Sequence, residues 1–208
     1  VWAFPSNTVN AEIEQKPWGI APAISEQIYT LEDALLFAGM QMVILRNADV
    51  IKIACQSLLT NISACIMTEK NGGYWLQTIY YPFHYFATYA KGTVLKTAST
   101  GPCYSCAEFD EVPYVDSLVV WNEEDQELVI FAVNRSEEEL QKAEVDLQDF
   151  EIQHVIESIC MTAENKKMTN MEQHDAVIPK KEKNVEIETG RCQITLQPLS
   201  FNMVRLAV

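Results

Sequence analysis

The stretch Val50-Ile51-Lys52-Ile53-Ala54-Cys55-Gln56-Ser57-Leu58-Leu59 is a short and nearly unbroken apolar run. Such a run, preceded by a helix of roughly four turns, is the pattern of a parallel strand buried on both faces. It is expected to be the last strand of an α/β barrel, with the rest of the chain leading into it or hanging from its far end.

The helix before it is read from Thr30. Thr30 can cap, Glu32 and Asp33 place negative charge in the first turn, and Thr30-x-x-Asp33 approximates a capping box. Leu31, Leu35, Ala38, Met42 and Leu45 recur at three- and four-residue steps, a wide apolar stripe suited to covering a sheet. Arg46 suits the negative end of the helix dipole, and Asn47-Ala48-Asp49 makes the short connection to the strand. Upstream, residues 1–24 carry Trp2, Phe4, Pro5, Pro17, Trp18 and Pro22, which predict an ordered loop whose aromatic residues floor a cleft or lid the core.

Downstream, Asn71-Gly72-Gly73 marks a turn or loop tip. The aromatic run Gln77 to Tyr89 predicts a short helix from about residue 78 or 82 to 89, with Pro82 tolerated only near the first turn. His84 has no partner of ligand type at i+4 and is expected to be a buried, hydrogen-bonded histidine.

From Gly92 the period changes from 3.6 to 2. Strands are predicted at 93–96, 103–109, 117–121, 127–134, 143–147, 152–161, 185–189, 193–196 and 200–206, with Asn122 to Gln126 as a hairpin turn. Many short strands separated by frequent turn signals mean an antiparallel sandwich. The run 163–184, with five lysines, is expected to be a solvated loop. The boundary falls near residue 91.

Charge narrows the partners. With 15 Lys+Arg against 29 Asp+Glu the net charge is -14, which disfavours nucleic acid and other polyanions but is compatible with neutral sugars. No window is apolar for long enough to span a membrane as a helix. The six cysteines are spread through an apolar-rich chain, as expected of reduced, core-filling thiols in a cytoplasmic protein. Cys103-Tyr104-Ser105-Cys106 lacks the second pair of a zinc ribbon and the βαβ context of a redox motif. No metal or organic cofactor is indicated. The opening Val1-Trp2-Ala3-Phe4-Pro5 has neither initiator Met nor signal features, so the chain is expected to be cut from a longer protein.

Several blocks together resemble one family. Val1-Trp2, Trp18-x-x-Ala21-Pro22, Glu26-x-x-Tyr29-Thr30-Leu31-Glu32-Asp33-Ala34-Leu35, Asn47-Ala48-Asp49, Ile53-Ala54-Cys55, Asn61, Ile66-Met67-Thr68 and Gln77-Thr78-Ile79-Tyr80-Tyr81-Pro82-Phe83 resemble the C-terminal third of α-L-arabinofuranosidases of glycoside hydrolase family 51. Phe131-Ala132-Val133-Asn134-Arg135 and Pro198 to Leu206 resemble that family's last strands. The resemblance implies the fold class: an α+β piece in which residues 1–91 end a catalytic (β/α)8 barrel and residues 92–208 form an antiparallel, jelly-roll-like β-sandwich.

It also implies a reaction. Family members are retaining enzymes that remove terminal arabinofuranose, using two carboxyls about 5 Å apart. The family's nucleophile lies in an Asp-Glu-Trp-Asn-Val-Trp block and its acid/base further upstream. This chain begins at the Val-Trp of that block, so both catalytic carboxylates fall outside it and no catalytic residue is assigned within it. Glu26, Glu32 and Asp33 are explained by the helix start, and Glu123, Glu124, Asp125, Glu137, Glu138 and Glu139 by solvated turns.

Two substrate-binding positions carry over. Trp2 matches a Trp that lines the arabinose pocket. Leu58, in Ser57-Leu58-Leu59-Thr60-Asn61, stands where an Ala-Gln-Leu-Val-Asn block places a sugar-binding Gln, a loss of roughly 1–3 kcal/mol of hydrogen bonding.

The expected partners are an arabinofuranosyl-containing oligo- or polysaccharide, the missing upstream barrel and further copies of the protein, with no nucleic acid and no membrane. Leu35, Phe37, Val43 and the apolar strand are expected to leave a water-facing patch. Two other readings are a carbohydrate-binding module and an assembly module. Against the first, Trp121, Phe131 and Phe201 fall at strand positions that a core would use.

Overall fold

The structure, a computed structural model, describes residues 26–147 and 150–208. Its elements run α1 (Leu31–Arg46), β1 (Ile66–Thr68), β2 (Tyr74–Leu76), α2 (Tyr80–Tyr89), β3 (Thr93–Leu95), β4 (Cys103–Tyr104), β5 (Val112–Pro113), β6 (Val115–Asn122), β7 (Glu127–Asn134), β8 (Gln141–Asp146), β9 (His154–Met161), β10 (Lys180–Lys181), β11 (Val185–Glu188), β12 (Arg191–Leu196) and β13 (Ser200–Ala207).

The organising strand is β7. Leu128 to Val133 is continuously apolar, and every one of these side chains is buried. Alternation sorts them to two cores: Val129, Phe131 and Val133 join one, Leu128, Ile130 and Ala132 the other. β7 is central in an antiparallel six-stranded sheet of order β10-β9-β13-β7-β6-β3. One face of that sheet packs on the three-stranded sheet β11-β12-β8 through Cys192, Ile194 and Leu196, forming a sandwich. The other face is covered by α1 and α2. The result is three layers, helices on sheet on sheet.

The first helix starts as predicted. Asp33 N–H donates to the Thr30 hydroxyl (3.3 Å) while the Asp33 carboxylate accepts from Thr30 N–H (2.8 Å), a complete capping box. Its stripe Leu31, Ala34, Leu35, Phe37, Ala38 and Met42 is buried. The patch expected from Leu35 and Phe37 is therefore absent, because the outer face of the six-stranded sheet covers both; Val43 alone of those three stays exposed, at 54%. At the C-terminal end Arg46 ion-pairs with Asp116 and donates to the Ser117 carbonyl (2.7 Å), tying α1 to β6.

α2 begins at Tyr80, so Pro82 occupies its first turn, where the missing N–H costs nothing. Phe86 sits 4.3 Å from Phe131 between ring centroids and 5.7 Å from Phe201. His84 corrects the expectation of burial. It lies on the exposed side of α2, about 200° around from Phe86 at 100° per residue, stacked on Tyr80 at 5.6 Å. Arg205 of β13 reaches over the Tyr89 ring (4.6 Å) and forms a forked pair with Glu127 (2.8 and 3.0 Å).

The sandwich strands follow the predicted alternation, with some differences, one of them the unpredicted short strand β5 paired with β4. The 103–109 strand stops after Tyr104, because the Ser105 hydroxyl donates to the Asp110 carbonyl (2.6 Å) and Cys106 N–H to that of Phe109 (2.8 Å), closing a tight loop. The loop 163–184 contributes a short edge strand, Lys180–Lys181, whose lysines blunt the open edge of the sheet.

The apolar run is the largest departure. Residues 50–59 form no strand in the structure; Ile53 is 83% exposed and Leu59 73%. Inter-strand hydrogen bonds require a neighbour, and among the described residues no segment pairs with 51–59.

Candidate functional site

The end of the apolar run and the residues that follow it are held in an unusual backbone. Leu58 (φ 59°), Asn61 (64°) and Ser63 (48°) all occupy the left-handed region. Asparagine tolerates it, but leucine costs roughly 1–2 kcal/mol there. Leu58 is half exposed, at 48%. Gln56, two residues earlier, carries a buried Oε1 with no hydrogen-bond partner. Trp2, the other predicted substrate residue, lies outside the described residues.

A set of side-chain bonds fixes this turn against β1. Asn61 Nδ2 donates to Thr68 Oγ1 (2.9 Å) and Asn61 Oδ1 accepts from Thr68 N–H (2.8 Å), while Thr60 bridges Ile66. These contacts align β1 with the turn. β1 then pairs with β2 through a tip at Glu69 to Gly73, in the register Met67↔Trp75 and Thr68↔Tyr74. Sequence reasoning found the Asn71-Gly72-Gly73 turn but not its flanking strands; the alternation in Ile66-Met67-Thr68 and Tyr74-Trp75-Leu76 was the available signal.

Gln77 is the buried hub behind the hairpin, and sequence reasoning assigned it no role. Its Oε1 accepts from Tyr29 N–H (2.8 Å), and its Nε2 donates to the carbonyls of Gln27 (2.8 Å) and Ala64 (2.9 Å). Thr78 Oγ1 donates to the carbonyl of Thr30, the helix cap (2.7 Å). Burial, with the charge of Asp33 adding to it, pushes the Tyr29 hydroxyl up to about 12.

The carboxylates that could compete for a chemical role are engaged structurally. Asp33 serves the cap, Glu32 pairs with Lys167, Glu137 with Lys166, and Asp116 lies between Arg46 and Arg135. Lys166 and Lys167, two of the five lysines read as surface residues, thus brace the start of α1. A separate cavity of about 850 Å³ opens beside α1, lined among others by Leu36, Met40, Val43, Tyr104 and Tyr114; Leu58 does not line it. Among the described residues no three His, Cys, Asp or Glu side chains come together to hold a metal, and Cys103 and Cys106 are exposed free thiols.

The cysteines divide evenly, which modifies the expectation of core thiols throughout. Cys65, Cys160 and Cys192 are buried, and burial pushes each thiol up to about 11; Cys55, Cys103 and Cys106 are exposed. At pH 8 an aromatic disulfide reagent is expected to titrate three thiols quickly in the folded chain and all six after denaturation. Because the folded pKa values lie above the ordinary 9.0, the stability these thiols contribute is complete below about pH 9 and lost as pH rises toward about 11.

Similarity to known proteins places this geometry. The sequence matches the family described as "Alpha-L-arabinofuranosidase C-terminal domain" over residues 1–200. It is 42% identical over 206 residues to an intracellular exo-α-(1→5)-L-arabinofuranosidase of Halalkalibacterium halodurans, covering 99% of this chain and 40% of that protein. A Bacillus subtilis enzyme of the same description is 38% identical over 206 residues, with the same coverage. A solved family 51 α-L-arabinofuranosidase from Bifidobacterium longum superposes with a TM-score of 0.83 at 28% identity, over 93% of this chain and 38% of that one. The chain spans about 40% of the length of the curated relatives it matches. On this match over nearly its whole length, the chain belongs to the C-terminal domain family of the family 51 α-L-arabinofuranosidases.

Proposed function

We propose that this chain is the C-terminal portion of a retaining exo-acting α-L-arabinofuranosidase, in which residues 1–91 complete a catalytic barrel and residues 92–208 form the supporting sandwich. The match over residues 1–200 to a family of arabinofuranosidase C-terminal domains carries the reading. The chain alone is inactive, because the nucleophile and the acid/base belong to the upstream part. The structural engagement of Asp33, Asp116, Glu32 and Glu137 supports that assignment. Trp2 and Leu58 face the terminal arabinofuranose, and the strained backbone at Leu58 is what a residue held for function exhibits.

The exposed Val50, Ile53 and Leu59 become a buried barrel strand once neighbours are supplied on either side, and exposed Leu36 and Val43 on α1 take the adjacent helix or a second copy of the protein. The enzyme acts in the cytoplasm on oligosaccharides, consistent with relatives named intracellular and with free cysteines.

The test is hydrolysis of 4-nitrophenyl α-L-arabinofuranoside by the 208-residue chain and by a protein extended upstream to the relatives' length. Turnover by the longer protein alone is expected. Turnover by the short chain would place the chemistry on a carboxylate within it. No turnover by either would refute the arabinofuranosidase reading.

A further inference from the structure

The hairpin β1–β2 carries a large, exposed aromatic side chain. Tyr74 is 69% exposed, whereas its neighbour Trp75 is buried. The register separates their roles. Met67 and Trp75 form one cross-strand pair and pack on Ile28, and the Trp75 ring stacks on His174 at 5.4 Å. Thr68 and Tyr74 form the next pair, and successive pairs point to opposite faces. Tyr74 therefore shares its face with Thr68, whose hydroxyl and N–H are held by Asn61. Tyr74 is thus one cross-strand spacing (about 5 Å) from Thr68, and Thr68 is hydrogen-bonded to Asn61, the residue three positions after Leu58.

The hairpin is also clamped from behind. Glu69 lies 3.3 Å from His174 Nε2, and Asn170 Nδ2 donates to the Leu76 carbonyl (3.0 Å). An exposed ring on a braced hairpin loses little conformational freedom on binding, and its flat apolar face complements the C–H face of a neutral sugar. The net charge of -14 leaves neutral ligands favoured here.

We propose that Tyr74 is a substrate-positioning platform that stacks on the sugar ring following the scissile bond in an α-(1→5)-linked arabino-oligosaccharide. This inference rests on the arabinofuranosidase reading: the terminal ring sits at Leu58, at the carboxyl end of the last barrel strand where barrel enzymes build their sites, and the next ring crosses to the hairpin. Tyr74 sets preference for oligosaccharides over simple glycosides and takes no part in bond cleavage.

The experiment uses the upstream-extended protein. kcat/KM is measured for α-(1→5)-arabinotriose and for methyl α-L-arabinofuranoside, whose aglycone has no ring. Tyr74→Ala is expected to lower the triose-to-methyl ratio about fivefold, chiefly through KM for the triose, and Tyr74→Phe to restore it. Tyr74→Leu, which keeps apolar bulk without the ring, provides the same comparison if the alanine variant folds poorly. An unchanged ratio in the ring-less variants, while the unsubstituted protein hydrolyses both substrates, overturns the platform alone. Hydrolysis of neither substrate by the unsubstituted protein overturns the platform together with the arabinofuranosidase reading.

Discussion

Phe131→Ala is expected to lower the unfolding free energy by about 3–5 kcal/mol, measured as a lower urea midpoint at unchanged slope. Phe131 is fully buried on β7 and lies against Phe86 of α2. Phe86 in turn meets Phe201 of β13, so the site draws on a helix and two strands. β7 is hydrogen-bonded on both sides, to β6 and to β13, and cannot shift inward to fill the void. The cost is therefore lost transfer energy plus a cavity that does not collapse. Domain stabilities are commonly about 5–15 kcal/mol, so this is a large fraction of the total. Phe109→Ala provides the contrast. That ring is 63% exposed in a loop, and its removal is expected to change stability by less than about 0.5 kcal/mol. A loss below about 1 kcal/mol for Phe131→Ala would mean that the helices do not pack on the sheet as described.

Gly92→Ala is expected to cost about 3 kcal/mol or more in the same measurement. Gly92 joins α2 to β3 with φ at +115°, and a Cβ there would lie 2.1 Å from the carbonyl oxygen of Trp121. The obstructing atom is backbone in β6, and Thr93 pairs with Trp121 in the ladder, so relief requires opening the β3–β6 pair. Gly190 separates conformational strain from this clash. Its φ is +72°, but nothing lies within 4 Å of the added carbon, and Gly190→Ala is expected to cost about 1–2 kcal/mol. Gly101 has neither feature, so Gly101→Ala is expected to be neutral or slightly stabilising. Equal effects at positions 92 and 190 would contradict the close approach to Trp121.

Within the sandwich, most strands were legible because their signals are local. Leu128 to Val133 buries side chains on both faces, and the turn at Asn122 to Gln126 is closed by Asn122 and Asp125 (2.7 Å). Phe131 and Phe201 are core residues as expected, and Trp121 packs on Phe150 at 5.0 Å. The candidate site was less legible. Gln77 reads as one polar residue among aromatics, and its role depends on Tyr29, 48 positions away in the chain. Tyr74 gains meaning only through the pairing of β2 with β1 and the hold of Asn61 on Thr68.

By itself the sequence determined family membership, the capped start of α1, the position of α2 and the alternation of the sandwich strands. Each depends on residues a few positions apart or on motif blocks read directly. Tertiary structure alone decided that the stripe of α1 lies on the antiparallel sheet, that His84 faces outward, and that Val50 to Leu59 joins no strand ladder among the described residues. The physical reason is where the hydrogen bonds go. A helix satisfies its backbone within the segment, so its existence can be read locally; a strand requires a neighbour, and an apolar run without one remains an exposed, irregular segment however strongly its composition favours the sheet.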